Sequence, residues 1–121
     1  MKSPYPTLKV PLFGGTIVLT RTIDEWDAAC RKFGAEPFTP RNVSGLTTNY
    51  RDRHGERHYI CGVFDSSIGT LAHEVAHAVF FIFGDVGATV EAGQANEAFT
   101  YMLGHLMTGF LATFGSSPPG E

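Results

Sequence analysis

His73 and Glu74, followed by Val75, Ala76 and His77, bring two imidazoles and a carboxylate into five consecutive residues. On a helix, residues four apart stand one above the other, so His73 and His77 aim at a single point. Two converging imidazoles suit Zn²⁺, which takes four tetrahedral donors from nitrogen, sulfur and oxygen. Glu74 projects about 100° round the helix from His73, where it reaches a metal-bound water without being a ligand. This H-E-x-x-H spacing is a metal-hydrolase signature. The plainer alternative is a solvated helix face that carries the pattern by chance. From Val75 to Phe83 only His77 is polar, so the sequence predicts a helix that is apolar nearly all round and buried. Imidazoles and carboxylates on such a helix need partners or a metal.

A second stretch extends the site. Residues from Asn96 to Phe114 read as a helix, with Phe99, Leu103, Leu106, Phe110 and Phe114 recurring at three- and four-residue steps as its core stripe. Glu97, Tyr101, Gly104, His105 and Thr108 fall on the opposite face. The Glu97 carboxylate would complete a three-ligand site and leave the fourth position to water, and Gly104 would let the helices approach closely. The alternative for Glu97 is a first-turn acid favoured by the helix dipole.

With these residues in view, the chain resembles the gluzincins, the metallopeptidase group that includes the thermolysin-like enzymes. His73-Glu74-x-x-His77 is followed after nineteen residues by Glu97, which Asn96 precedes. The resemblance covers roughly residues 66–108 and the strands before them. It implies His73, His77 and Glu97 as Zn²⁺ ligands and Glu74 as general base. The family commonly has an aspartate four residues after its third ligand, orienting a ligand histidine; here Tyr101 stands at that position, and its hydroxyl would substitute. The short chain points to a minimal gluzincin, or to a relative of the compact ImmA/IrrE-type and phage-encoded metallopeptidases. The implied activity is hydrolysis of a protein or peptide substrate, with Glu74 moving a proton from a metal-activated water to the leaving amine. Thermolysin-like enzymes take an oxyanion-stabilising histidine from a further helical domain. The candidates for that role here are Tyr101 and His105, with Tyr59 and His58 behind them. A zinc-stabilised binding or regulatory module with little turnover is the alternative. The intact Glu74 favours the enzyme, and the short cleft favours the module.

The rest of the chain must position these residues. Its 121 residues make one domain with room for a core, expected over residues 1–115 with 116–121 as a frayed tail. A net charge of −3 gives no general reason to expect nucleic-acid binding. No apolar run approaches the ~20 residues that span a bilayer, and residues 1–7 lack the apolar centre of a signal peptide. A cytoplasmic protein is therefore expected, with free buried thiols at Cys30 and Cys61.

Gly14 to Arg21 reads as a strand, and Asp24 as the cap of a helix through Phe33 that Gly34 stops. Trp26, Ala29, Cys30 and Phe33 form its core side, and Glu36 to Asn42 reads as a loop. Ser44 to Tyr50 and Arg57 to Phe64 make a hairpin round Asp52-Arg53-His54-Gly55. Arg51, Arg53, His54, Arg57 and His58 form a basic cluster there, which either protects a sheet edge or recognises an acidic group. The resemblance adds that the outermost strand binds an extended substrate. Asp65, Ser66 and Ser67 are N-cap candidates for the H-E-x-x-H helix, and Gly84 to Gly87 end it. The expected fold is α+β: a small antiparallel sheet packed against helices, in the order strand, helix, hairpin, helix, helix.

Overall fold

A computed structural model of the protein describes residues 5–34, 42–88 and 97–114. The expected tail 116–121, most of the loop from Glu36, and Glu91 and Asn96 lie outside them. Four strands, β1 (Thr7–Lys9), β2 (Thr16–Thr20), β3 (Gly45–Arg51) and β4 (Arg57–Val63), form one sheet in the order β1-β2-β4-β3. Three helices, α1 (Ile23–Lys32), α2 (Ile68–Val86) and α3 (Glu97–Phe114), complete the α+β fold.

The sheet is mixed, which corrects the antiparallel expectation. β1 pairs with β2 and β3 with β4 antiparallel, but β2 and β4 run parallel, from Thr16↔His58 to Thr20↔Gly62. The hairpin fixes the sense of β3 against β4 locally. The sense of β4 against β2 follows from the crossover that carries α1 between them, and hydrophobic spacing holds no trace of that. β1 is a further addition to the expected order. Three residues are too few to give a pattern, and β1 reaches β2 through a turn with left-handed backbone at Leu12, Gly14 and Gly15.

The pleat of the two central strands sends side chains into two cores. Ile17, Leu19, Tyr59, Cys61 and Val63 face α2 and α3, meeting Leu71, Val75, Val79, Met102, Leu106 and Phe110. Val18 and Ile60 face the other way, against Trp26, Ala29 and Cys30 of α1. The described chain is thus a three-layer arrangement with the sheet in the middle. Both cysteines are free and buried, one in each core.

The helix ends explain the boundaries. Thr22, not Asp24, caps α1: its side chain accepts from Glu25 N at 3.1 Å, while Glu25 reaches back to accept from Arg21 N at 2.8 Å. The Thr22-x-x-Glu25 spacing resembles a capping box and outweighs the Asp24 signal. Ser67 caps α2 by accepting from Thr70 N, and Asp65 accepts in turn from Ser67 N and Thr70 Oγ1. Gly87 closes α2 in the left-handed conformation, with Ala88 N donating to Phe83 O as a Schellman motif requires. α3 comes close to β1 at Gly109, where a Cβ would lie 2.7 Å from Leu8 Cδ1. Gly104 has open space around it instead, so the expected close approach of two helices is not made there. No helix among the described residues is long and apolar enough to cross a membrane.

Candidate metal centre

α2 is two-faced rather than buried all round. Leu71, Val75, Ala78, Val79, Ile82 and Phe83 are in the core, but His73 and His77 are exposed, as are Phe80 and Phe81. Burial therefore does not oblige these imidazoles to find a metal. Their mutual geometry carries the case. The two rings lie 4.7 Å apart between centroids, edge to face, with Nε2 facing Nε2 at 3.1 Å. Two nitrogens bound about 2.0–2.1 Å from one tetrahedral zinc stand roughly 3.3 Å apart. The observed 3.1 Å is close to that spacing and is also hydrogen-bonding distance between the two rings.

Glu74 turns away from this exposed face toward β3 and is 6 % exposed. Its Oε2 lies 3.9 Å from His73 Nε2. Thr47 Oγ1 stands 2.5 Å from Glu74 Oε1 and 3.0 Å from Glu74 O, within donating distance of both, so its single proton serves one or the other. The Cys61 thiol donates weakly to the same carbonyl at 3.7 Å. Gly45 lies against the glutamate stem, since a Cβ there would meet Glu74 Cγ at 2.9 Å. A cavity of about 540 Å³ opens beside these groups, walled by Ser44, Gly45, Gly69, Thr70, His73 and Glu74. Thr47 and Gly45 carried no signal in the sequence, because only the sheet register brings β3 against the start of α2.

The other expected residues are distributed differently. Glu97 is the first residue of α3 and is exposed. Among the described residues no three of His, Cys, Asp and Glu gather as a metal-binding group, so the structure joins His73 to His77 without bringing Glu97 to them. Tyr101 and His105 stack on each other at 6.0 Å and line a separate cavity with Leu8 and Gly109. Neither is a core residue, and neither lines the cavity beside Glu74.

Tyr59 and His58 are both committed elsewhere. Tyr59 is fully buried and its hydroxyl donates to Asp85 Oδ2 at 2.6 Å; burial first, then that acceptor, push the phenol well above its ordinary value. Asp85 is thereby occupied. His58 lies between Thr16 Oγ1, 2.7 Å from Nδ1, and Asp52 Oδ2, 2.8 Å from Nε2, and stacks on Phe33 at 4.0 Å. These contacts face α1, on the opposite side of the sheet from α2. Compared with family models, with curated proteins and with solved structures, the chain finds no match.

Proposed function

We propose that this protein is a zinc-dependent metallopeptidase. The reading is carried by one observation: two imidazole nitrogens converge to 3.1 Å on α2 with the buried carboxylate of Glu74 alongside. His73 and His77 would hold the zinc, with Glu97 as third ligand by the H-E-x-x-H-x19-E spacing. Bound there, zinc would supply a polarised water and a Lewis acid for the substrate carbonyl. Glu74 accepts a proton at Oε2, the oxygen that Thr47 does not touch, and returns it to the leaving amine. Thr47 and Gly45 fix the carboxylate's direction from β3, so the base does not have to be ordered at the moment of reaction. The zincin-like arrangement of sheet, H-E-x-x-H helix and following helix is part of this proposal.

The test begins with metal. Protein purified after zinc-replete expression should carry about one zinc per chain, as a mononuclear site requires. It should cleave members of a proteome-derived peptide library. Glu74→Gln should keep the zinc and lose activity by roughly 10²–10⁴-fold, the range of general acid–base catalysis. Absence of any transition metal in the purified protein would remove the proposal. One observation favours a second reading, a zinc-stabilised binding module: Glu97 is not gathered with the histidines. Zinc binding with no turnover in the parent would select that reading.

A further inference from the structure

The His73 side chain is 67 % exposed and His77 is exposed beside it, so another molecule can reach both imidazoles. Their Nε2 atoms face each other at 3.1 Å. Two nitrogens supply half of a tetrahedral zinc sphere. Among the described residues no third His, Cys, Asp or Glu gathers with them. A second copy of this chain would bring the other half, because a two-fold axis presents the same patch twice.

The face around the pair suits such a meeting. From Ile68 to Gly84 no exposed residue of α2 carries a formal charge, and after Arg57 the sequence contains no lysine or arginine. Glu74 is the one carboxylate within that span. Its Oε2 lies 3.9 Å from His73 Nε2 and would help to offset the metal's charge, once from each copy. Asp65 and Asp85 lie beyond the two ends, hydrogen-bonded within their own chain to Thr70 and Tyr59. Phe80 and Phe81 are exposed on this face, 53 % and 37 %.

The positions along the helix are self-complementary. When two α2 helices run antiparallel about the midpoint of His73 and His77, residues equidistant from it meet. Phe80, about 7.5 Å along the axis from that midpoint, falls opposite Thr70 of the second copy, and Phe81 falls opposite Gly69. Gly69 and Thr70 wall the cavity of about 540 Å³ beside Glu74. An apolar cavity of roughly 150 Å³ already holds benzene, so a phenyl ring can enter. We propose that at limiting zinc two copies of this protein are bridged by one ion through His73 and His77 of each, with Phe80 and Phe81 of each copy covering the other's cavity. This regulation rests on the proposed role of the two histidines as zinc ligands. In the bridged pair four imidazoles leave no position for water, and the aromatic rings stand where substrate would approach Glu74. At excess zinc each chain fills its own pair by mass action, and the copies separate. The helix face from Ile68 to Gly84 is about 25 Å long and about 10 Å wide. That is well under the ~800 Å² that each partner buries in a stable complex, so the pairing needs the metal.

The experiment is sedimentation velocity on the full chain at micromolar concentration, without zinc, at half an equivalent and at several equivalents. Bound zinc is measured in parallel by competition with a colorimetric chelator. A doubled mass is expected at half an equivalent only, and His73→Ala should stay single throughout. Phe80→Ser/Phe81→Ser, and separately Gly69→Leu, should keep the parent's zinc content at excess metal while weakening the half-equivalent dimer at least tenfold. A Cβ at Gly69 meets only Ser67 Oγ at 3.5 Å, so that variant's melting temperature should stay near the parent's. His54→Ala and His105→Ala, at other exposed histidines, should dimerise like the parent. One zinc per chain with a single-chain mass at every ratio would overturn the bridged pair and leave the peptidase reading standing. No bound zinc at all would remove both. Doubling without zinc would overturn the bridge, and a dimer unaltered by the aromatic and Gly69 variants would overturn the seating of the two faces.

Discussion

At Glu74, the proposed catalysis and the packing make the same demand on one carboxylate. A buried carboxylate is tolerated only when its oxygens are hydrogen-bonded, and Thr47 supplies the bond from β3. Thr47→Val keeps the shape and removes the donor, so it should cost about 1–3 kcal/mol of stability, the usual penalty for leaving a buried acceptor without its partner. Thr47→Ser should recover part of that loss in urea unfolding. A valine variant as stable as the parent would mean that water already serves the carboxylate. Gly45→Ala tests the same contact sterically. Its Cβ would stand 2.7–2.9 Å from Thr70 Cγ2, Gly62 O and Glu74 Cγ. β3 and α2 would have to separate, with a loss of about 1–3 kcal/mol. His73, Glu74 and His77 were legible in the sequence because one helix's period fixes their relation. Thr47 and Gly45 were not, since their meeting with α2 depends on a register that no local spacing encodes.

Among the elements, the helices and the hairpin were readable because each is set by short-range signals. These were apolar spacing, a glycine in the turn, serine before a helix and glycine after it. The parallel pairing of β2 with β4 was hidden because a crossover, not a turn, decides it. The two glycines near the end of α2 make the local rules testable with opposite signs. Gly84 is exposed within the helix, and a Cβ there meets nothing within 4 Å. Gly84→Ala should therefore stabilise by about 0.4–1 kcal/mol through the unfolded chain's lost freedom. Gly87 sits at φ 75° as the C-cap, also with open space around it. Gly87→Ala should destabilise by about 1 kcal/mol, because only its backbone conformation resists a side chain. Thermal melts of the two variants should move in opposite directions. Two shifts of the same sign would contradict the cap assignment.

For the molecule as a whole, the sheet separates two cores, and the groups sealed in the larger one make stability depend on alkaline pH. Burial pushes the Cys61 thiol from its ordinary 9.0 up to about 12, and Tyr59 moves upward in the same sense from 10.0. Both are fully buried. Below about pH 9 the Cys61 thiol is protonated in folded and unfolded chains alike, so it adds no pH dependence. Between 9 and about 12 the unfolded chain releases this proton and the folded chain retains it. The unfolded state then binds fewer protons, and stability falls as pH rises, by up to about 1.4 kcal/mol per pH unit for each such group. Tyr59 adds to the fall once pH exceeds 10.0. Urea unfolding at pH 8, 9.5 and 10.5 should show this decline. Cys61→Ala should be less stable than the parent at pH 8, because a small cavity replaces the sulfur. Its loss between pH 8 and 10.5 should nevertheless be smaller, since one titrating group is gone. Equal losses in the two proteins would mean that the thiol ionises as readily in the fold as out of it, and that the core between β4 and α2 admits water.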